Sequence, residues 1–324
     1  GKVLAQDMNC IETLARVDVL CVDKTGTITE PRMEVGEVVY LDPEKYAETE
    51  VTEILNAFYQ VSEADNDTAR AMQKKFHGRS AWHAEKTIPF TSATKWSAAV
   101  FPGHGAYLVG APEFILGPRY GDLKEQVDPW SAKGYRVLLA AEYQGMPDQK
   151  GLDPRRVCPM ALVLLSNRVR ESAPKTFQFF AEQKVAVKVI SGDNPVTVAE
   201  VARQAGIQGA DRYVDAATLH SDADMDRAVR EFTVFGRVTP DQKRKLVQAL
   251  QRAGHTVAMT GDGVNDVLAL KDADCGIAMA SGAEAACHAA QLVLLNSDFA
   301  AMPKVVAEGR RVINNIQRAA ALYL

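Results

Sequence analysis

VDVLCVDKTGTIT, residues 17 to 29, runs an apolar segment straight into an aspartate, Asp23, and follows it with a short loop of lysine, threonine and glycine. The apolar run reads as a buried parallel strand, and a carboxylate at its carboxyl end lies where open α/β sheets place their ligands. Lys24, Thr25, Gly26 and Thr27 then supply a compact, flexible turn facing a phosphate. The plainer alternative is a strand ending in an ordinary polar loop. The string DKTGT outweighs it, and three later segments fit the same chemistry.

At 324 residues the chain has room for two domains, and its 47% hydrophobic and 24% charged content is that of an ordinary globular protein. A formal net charge of -4 argues against a nucleic-acid partner, which a basic surplus would announce. The five cysteines, Cys10, Cys21, Cys158, Cys275 and Cys287, form no CxxC pair, so neither a disulfide framework nor a zinc site is indicated and a reducing compartment is expected. The longest apolar runs, such as Met160 to Leu165, fall far short of the roughly 20 residues a membrane helix needs, so the chain by itself is expected to be soluble. It opens on Gly1 and closes in a helical stretch, Pro303 to Leu324, ending AAALYL, which suits either a fragment of something larger or a terminal helix docked on its own domain.

From Ala161 onward short apolar runs alternate with helical patterns, the signature of a parallel sheet with crossover helices. Strands are expected at Ala161–Leu165, Val185–Ile190, Thr256–Met259, Gly276–Met279 and Leu292–Leu294. Ser172, Asn194 and Thr239 are expected to cap helices, each with a proline in the first turn, and the last of these helices should stop at Gly254. Between Met33 and Arg155 the character changes to β-branched runs such as Val35–Tyr40 and Ala98–Phe101, with a helical stretch near Val51–Gln60. This reads as an inserted α+β module, giving a discontinuous first domain over 1–32 and 156–324 around an insert over 33–155.

Four segments of the first domain converge on one phosphate. Asp23 is the nucleophile candidate, since a carboxylate can be phosphorylated and so split a hard transfer into two easier steps; it also suits a metal. ISGDN offers the Ser191 hydroxyl and the Gly192 N–H at the start of a helix, where a phosphoryl group is favoured. FGRVTPDQK puts Lys243 on a first helical turn, where one ammonium could neutralise the transferring group, while Arg244 and Lys245 read as solvent-facing. TGDGVND supplies Asp262, Asn265 and Asp266, hard oxygen donors of the kind Mg²⁺ takes. Each segment alone is as easily a turn or a surface charge; their joint occurrence is not.

These four segments resemble the motifs of P-type ATPases, membrane cation pumps, and the resemblance covers essentially the whole chain. It implies a haloacid-dehalogenase-like doubly wound α/β phosphorylation domain with an inserted α+β nucleotide-binding domain. It further implies that Asp23 is phosphorylated, that the Thr25 carbonyl joins Asp23 and Asp262 around Mg²⁺, and that Lys24, Ser191, Gly192 and Lys243 serve the phosphoryl group with Asn265 and Asp266 in support. Where the family usually has TGD, this chain has Ser191, Gly192 and Asp193; where it has DPxR, this chain has Asn167, Arg168 and Val169 before Arg170. Soluble phosphatases of the same fold carry a second aspartate two positions after the nucleophile, and here that position is Thr25, which favours a pump over a phosphatase. No TGE occurs, the motif by which the family's actuator domain hydrolyses the acyl phosphate.

In the insert, PFTSATKWSA resembles the family's FSxxxK element, with Phe90 to stack on the base of ATP and Lys95 for a polar contact. GAPE, starting at Gly110, looks like the end of a KGAPE element with Val109 in place of the lysine, and Trp96 reads as packing. Arg136 resembles an arginine bridging nucleotide phosphate and the phosphorylation domain, and Asp67 with Thr68 resembles the pair lining the adenosine pocket. None of the six histidines precedes a proline, which disfavours the heavy-metal pumps. The likeness is greatest to bacterial calcium-type pumps, with magnesium-type pumps and lipid flippases as neighbours and a soluble aspartyl-phosphate phosphatase as the rival. It implies Ca²⁺ as the transported ion, a full-length protein in the plasma membrane held by further helices, and this part on the cytoplasmic side, monomeric in isolation.

Overall fold

The computed structural model describes residues 3–322, so the last two residues of the expected C-terminal helical run lie outside the described residues. The chain divides into two compact units, Gly1–Pro31 with Val169–Leu324, and Arg32–Arg168. In chain order the strands are β1 (Val3–Ala5), β2 (Val19–Val22), β3 (Thr29–Tyr40), β4 (Lys86–Ile88), β5 (Trp96–Phe101), β6 (Gly105–Gly110), β7 (Arg136–Tyr143), β8 (Val157–Val169), β9 (Ala186–Ile190), β10 (Tyr213–Asp215), β11 (Val234–Gly236), β12 (Val257–Gly261), β13 (Cys275–Met279) and β14 (Leu292–Leu294).

The first unit is built on an eight-stranded sheet of order β1-β14-β13-β12-β2-β9-β11-β10. Its strands are parallel except β1, which pairs antiparallel with β14. β2 lies near the middle, with Val19 opposite Val257 on one side and Ala186 on the other. All four of its residues are buried, and they alternate between two cores. Leu20 and Val22 meet Phe177, Phe180, Val198 and Phe299, while Val19 and Cys21 meet Met225, Leu246, Leu250 and Leu270. Helices on both faces explain why the strand is a continuous apolar run and not an alternating one. The doubly wound parallel sheet expected from the sequence is the architecture observed.

Four of the five expected strands fall in this sheet, and one does not. Ala161–Leu165 lies inside β8, which pairs antiparallel with β7 in the second unit's six-stranded sheet, of order β3-β8-β7-β6-β5-β4. The reason is burial on both faces: Ala161, Val163 and Leu165 pack with Phe58, Met72 and Phe101, while Leu162 and Leu164 pack with Trp96, Ile115 and Leu139. A strand covered on both sides is apolar throughout whether its neighbours are parallel or antiparallel, so the run could not declare its sheet. For the same reason the second unit extends to Arg168 and not to Arg155.

Helix starts follow the side-chain chemistry in two of three cases. The Asn194 carboxamide accepts from the Val196 N–H at 2.9 Å, and Thr239 forms a reciprocal capping box with Gln242 at the head of the helix Pro240–Arg252. That helix is followed by Gly254 at φ +91°, a left-handed turn that glycine enters without strain. Ser172 makes no capping bond, a correction to the expectation: its backbone is already helical at φ -76°, ψ -14°, whereas a capping side chain needs an extended backbone to reach forward.

Gly236, at the end of β11, sits against Pro195, and a Cβ built on it would lie 2.3 Å from the proline Cα. Gly236→Ala is therefore expected to push the start of the Pro195–Gln204 helix off the sheet, at a cost of about 1–3 kcal/mol seen as a lower midpoint in thermal melting. An unchanged midpoint would mean that the contact relaxes freely.

Candidate active site

Asp23 follows β2, Ser191 follows β9 and Asp262 follows β12, so the pairing of these three parallel strands brings their ends to one edge of the sheet. The Asp23 N–H donates to the Thr260 hydroxyl at 3.1 Å, and Asp23 Oδ1 accepts from the Lys24 N–H at 2.8 Å. Lys243 is brought in on the helix Pro240–Arg252, where it is only 7% exposed. Its Nζ donates to Asp266 Oδ1 at 2.8 Å and lies 3.8 Å from Asp23 Oδ2. Asp266, itself 2% exposed, accepts the Asp262 and Gly263 N–H groups with its other oxygen.

Oxygens of Asp23, Asp262 and Asp266 lie within 4.8 Å of one another. Lys243 is the cation among them; Lys24, though buried, spends its charge on Asp193 at 2.6 Å. Three carboxylates against one ammonium leave a deficit of positive charge, and the titration of Asp23, Asp262 and Lys243 reflects it. Burial raises the Asp23 carboxyl from the ordinary 3.8 to about 7; Lys243 opposes the rise, and Asp266 and Asp262 add to it. The Asp262 carboxyl is raised as well, first by burial and then by Asp266. Burial works against the charge of Lys243 too, yet Asp23, Asp266 and Asp262 together raise its pKa. The donor set is hard oxygen with excess negative charge, which fits Mg²⁺ and would be satisfied by it.

Glycines let these groups approach. A Cβ at Gly26, whose φ is +80°, would lie 2.8 Å from Asp262 Oδ2, and one at Gly261 would lie 2.5 Å from Asp266 Cβ. Ser191 is buried, its hydroxyl accepting the Asp193 N–H at 3.2 Å, while Gly192 and Asn265 are exposed at the same edge. Thr260 and the Lys24–Asp193 pair were not singled out from the sequence. Thr260 opens the TGDGVND segment, so its position was the available signal; the partner of Lys24 had none.

In the second unit the nucleotide candidates fall into pairs. Lys95, at φ +63°, lies beside Gly110, where a Cβ would come within 2.4 Å of the Lys95 carbonyl oxygen. The Arg136 guanidinium donates to the Thr68 hydroxyl at 2.6 Å. Asp67 is exposed and pairs with Arg70, and Phe90 is 41% exposed, open to a stacking partner. Val109 is a core residue packed with Phe101 and Tyr107, and Trp96 is buried as packing.

Comparison with known proteins bears on this site. Residues 17–274 match the model of the haloacid dehalogenase-like hydrolases. The chain is 48% identical over 322 residues to the calcium-transporting ATPase CtpE of Mycobacterium bovis, covering 99% of this chain and 40% of that protein. It is 43% identical over 324 residues to the probable cation-transporting ATPase exp7 of Streptococcus pneumoniae, covering 100% of this chain and 41% of that protein. It thus spans about two fifths of the length of these relatives. A zinc-transporting PIB-type ATPase solved in its E2.Pi state shares the fold, with a TM-score of 0.74 at 21% identity over 98% of this chain and 45% of that one. No helix among the described residues is long and apolar enough to cross a membrane.

Because the native Asp23 holds its proton to about pH 7 while an unfolded carboxyl releases it near 4, the folded state binds more protons between those values. Stability should therefore fall as pH rises through that window when divalent cations are chelated. Melting of the wild type and Asp23→Asn is expected to diverge, the variant gaining on the wild type from pH 5 to pH 8. Mg²⁺ should raise the wild-type midpoint more at pH 8 than at pH 5, since at the lower pH it must displace a proton. Parallel curves would contradict the charge deficit.

Proposed function

We propose that this chain, which belongs to the haloacid dehalogenase-like hydrolase family, is the catalytic portion of a cation-transporting P-type ATPase and is phosphorylated by ATP on Asp23. The observation that carries the reading is the buried cluster in which Lys243 lies between Asp23 and Asp266 with Asp262 alongside. Similarity along the whole chain to relatives named as cation-transporting ATPases supports it.

In this reading ATP is held through Phe90, Lys95, Gly110 and Arg136, with Asp67 at the adenosine end. An oxygen of Asp23 attacks the γ-phosphorus; the bond from that phosphorus to the bridging oxygen of ADP breaks, and ADP leaves with the electron pair. Lys243 stabilises the charge that grows on the transferring oxygens, and the Ser191 hydroxyl with the Gly192 N–H receives them. Asp23, Asp262 and the Thr25 carbonyl would hold Mg²⁺, which supplies charge neutralisation for the phosphates. Asp266 keeps Lys243 and the Asp262 backbone in place. Thr25, two residues beyond Asp23, cannot act as an acid or base near neutral pH, so the acyl phosphate should be long-lived and turnover slow.

The name of the CtpE relative and the GAPE and PFTSATKWSA elements support Ca²⁺ as the ion moved by the full-length protein. That protein would sit in the plasma membrane with these two units on the cytoplasmic side.

Incubation with Mg²⁺ and γ-labelled ATP or acetyl phosphate, followed by an acid quench, should yield label that hydroxylamine releases and that Asp23→Asn lacks. Absence of acid-stable label from both donors would overturn the assignment. Asp262→Ala is expected to raise the Mg²⁺ concentration for half-maximal labelling by about tenfold or more, with Asp193→Ala moving it much less. Equal shifts would place the metal elsewhere.

A further inference from the structure

Arg170 stands one residue past the end of β8, and its side chain is largely buried, with 13% exposed. Its Nη2 donates to two backbone carbonyls, Gly26 at 2.9 Å and Ser297 at 3.3 Å. Its own N–H donates to the Ile28 carbonyl at 3.0 Å. The nearest acids stand farther off, Glu30 at 3.7 Å and Asp298 at 4.0 Å, and the buried Nε has no hydrogen-bond partner. A guanidinium placed for ion pairing would be closer to its carboxylates and would not forgo a donor. The closest contacts are with main-chain oxygens, so shape and reach are what this position uses.

Both gripped segments are conformationally demanding, and both lead to Asp262. Gly26 has φ +80° and lies against the Asp262 carboxylate, one peptide beyond the Thr25 carbonyl. Ser297 has φ +52°, uncommon for a residue with a side chain, and its hydroxyl accepts the Ser281 N–H at 3.0 Å. The segment after Ser281 closes on Asp262 from behind: the Ala283 N–H donates to the Asp262 carbonyl at 2.7 Å, and Gly282 is so close that a Cβ would meet that oxygen at 2.7 Å. One guanidinium thus holds the loop in front of Asp262 and the loop whose partner segment backs it.

We infer that Arg170 is a positioning residue for the reaction, clamping the Gly26–Glu30 and Ser297–Asp298 segments so that Asp262 and the Thr25 carbonyl keep their spacing from Asp23. The inference rests on the phosphorylation reading given above. It assigns Arg170 no contact with the phosphoryl group. Lysine at this position would keep the charge but lose the planar fork that spans two carbonyls.

The test uses the full 324-residue chain as wild type, Arg170→Ala and Arg170→Lys, with Arg170→Lys carrying the test if the alanine variant does not fold. Amide hydrogen exchange is followed over residues 24–29, 281–283 and 297–302 without ligand, then as Mg²⁺ is titrated. In Arg170→Lys all three segments are expected to exchange about tenfold faster together while the sheet strands keep their protection. The Mg²⁺ concentration that protects residues 24–29 should rise about tenfold, and labelling of Asp23 by acetyl phosphate should slow by up to about 100-fold. Wild-type exchange and an unmoved Mg²⁺ midpoint in Arg170→Lys would overturn the inference, as would uniform loosening of the whole first unit, which marks a merely structural arginine. A wild-type chain that takes no label and shows no Mg²⁺ protection is the separate failure of the phosphorylation reading, and the inference falls with it.

Discussion

The ammonium of Lys243, buried between Asp23 and Asp266 with Asp262 beside them, is the constraint around which the first unit is arranged. One positive charge cannot satisfy three carboxylates away from water, so the site is unstable toward either a proton or a divalent cation. Burial raises the pKa of Asp23 to about 7, so a cation bound there would compete with a proton near neutral pH. The excess negative charge suits a divalent cation, and a phosphoryl group would need that cation together with Lys243 to offset the carboxylates.

Holding such a cluster demands a rigid frame, and the sheet supplies it. β2 is flanked by parallel strands and covered by helices on both faces, so the end of the strand that presents Asp23 has little freedom. Around that point the chain uses glycine where atoms must nearly touch: Gly26 against Asp262, Gly261 against Asp266, and Gly282 against the Asp262 carbonyl. Lys24 is drawn aside to Asp193, which leaves Lys243 as the cation between Asp23 and Asp266. Arg170 then ties the loops before and behind Asp262 to each other. The geometry of the cluster thus rests on the backbone as much as on the acidic side chains.

Much of this was legible in the primary structure because the clustered carboxylates sit within short local strings. DKTGT and TGDGVND each place their carboxylates by sequence distance alone, and the apolar runs before them announce buried parallel strands. Where the deciding factor was long-range, legibility stopped. The pairing of Lys24 with Asp193 joins residues far apart in sequence, and nothing in either segment names the other. The role of Arg170 depends on two carbonyls that every residue possesses. The sequence of β8 does not declare its sheet, because burial on both faces erases the alternation that would mark an antiparallel strand. Ser172 has the right chemistry for a cap and the wrong backbone angle, which only the fold determines.

The most direct measurement is a crystal structure of the chain soaked with Mg²⁺ and beryllium fluoride, a mimic of a phosphoryl group bound to a carboxylate. The expected result is a trifluoroberyllate on Asp23, with Mg²⁺ shared by Asp23 and Asp262 and with Lys243 and Ser191 turned onto the fluorines. A trifluoroberyllate on another residue, or Mg²⁺ bound away from Asp262, would contradict the claim that this cluster is built to receive a phosphoryl group.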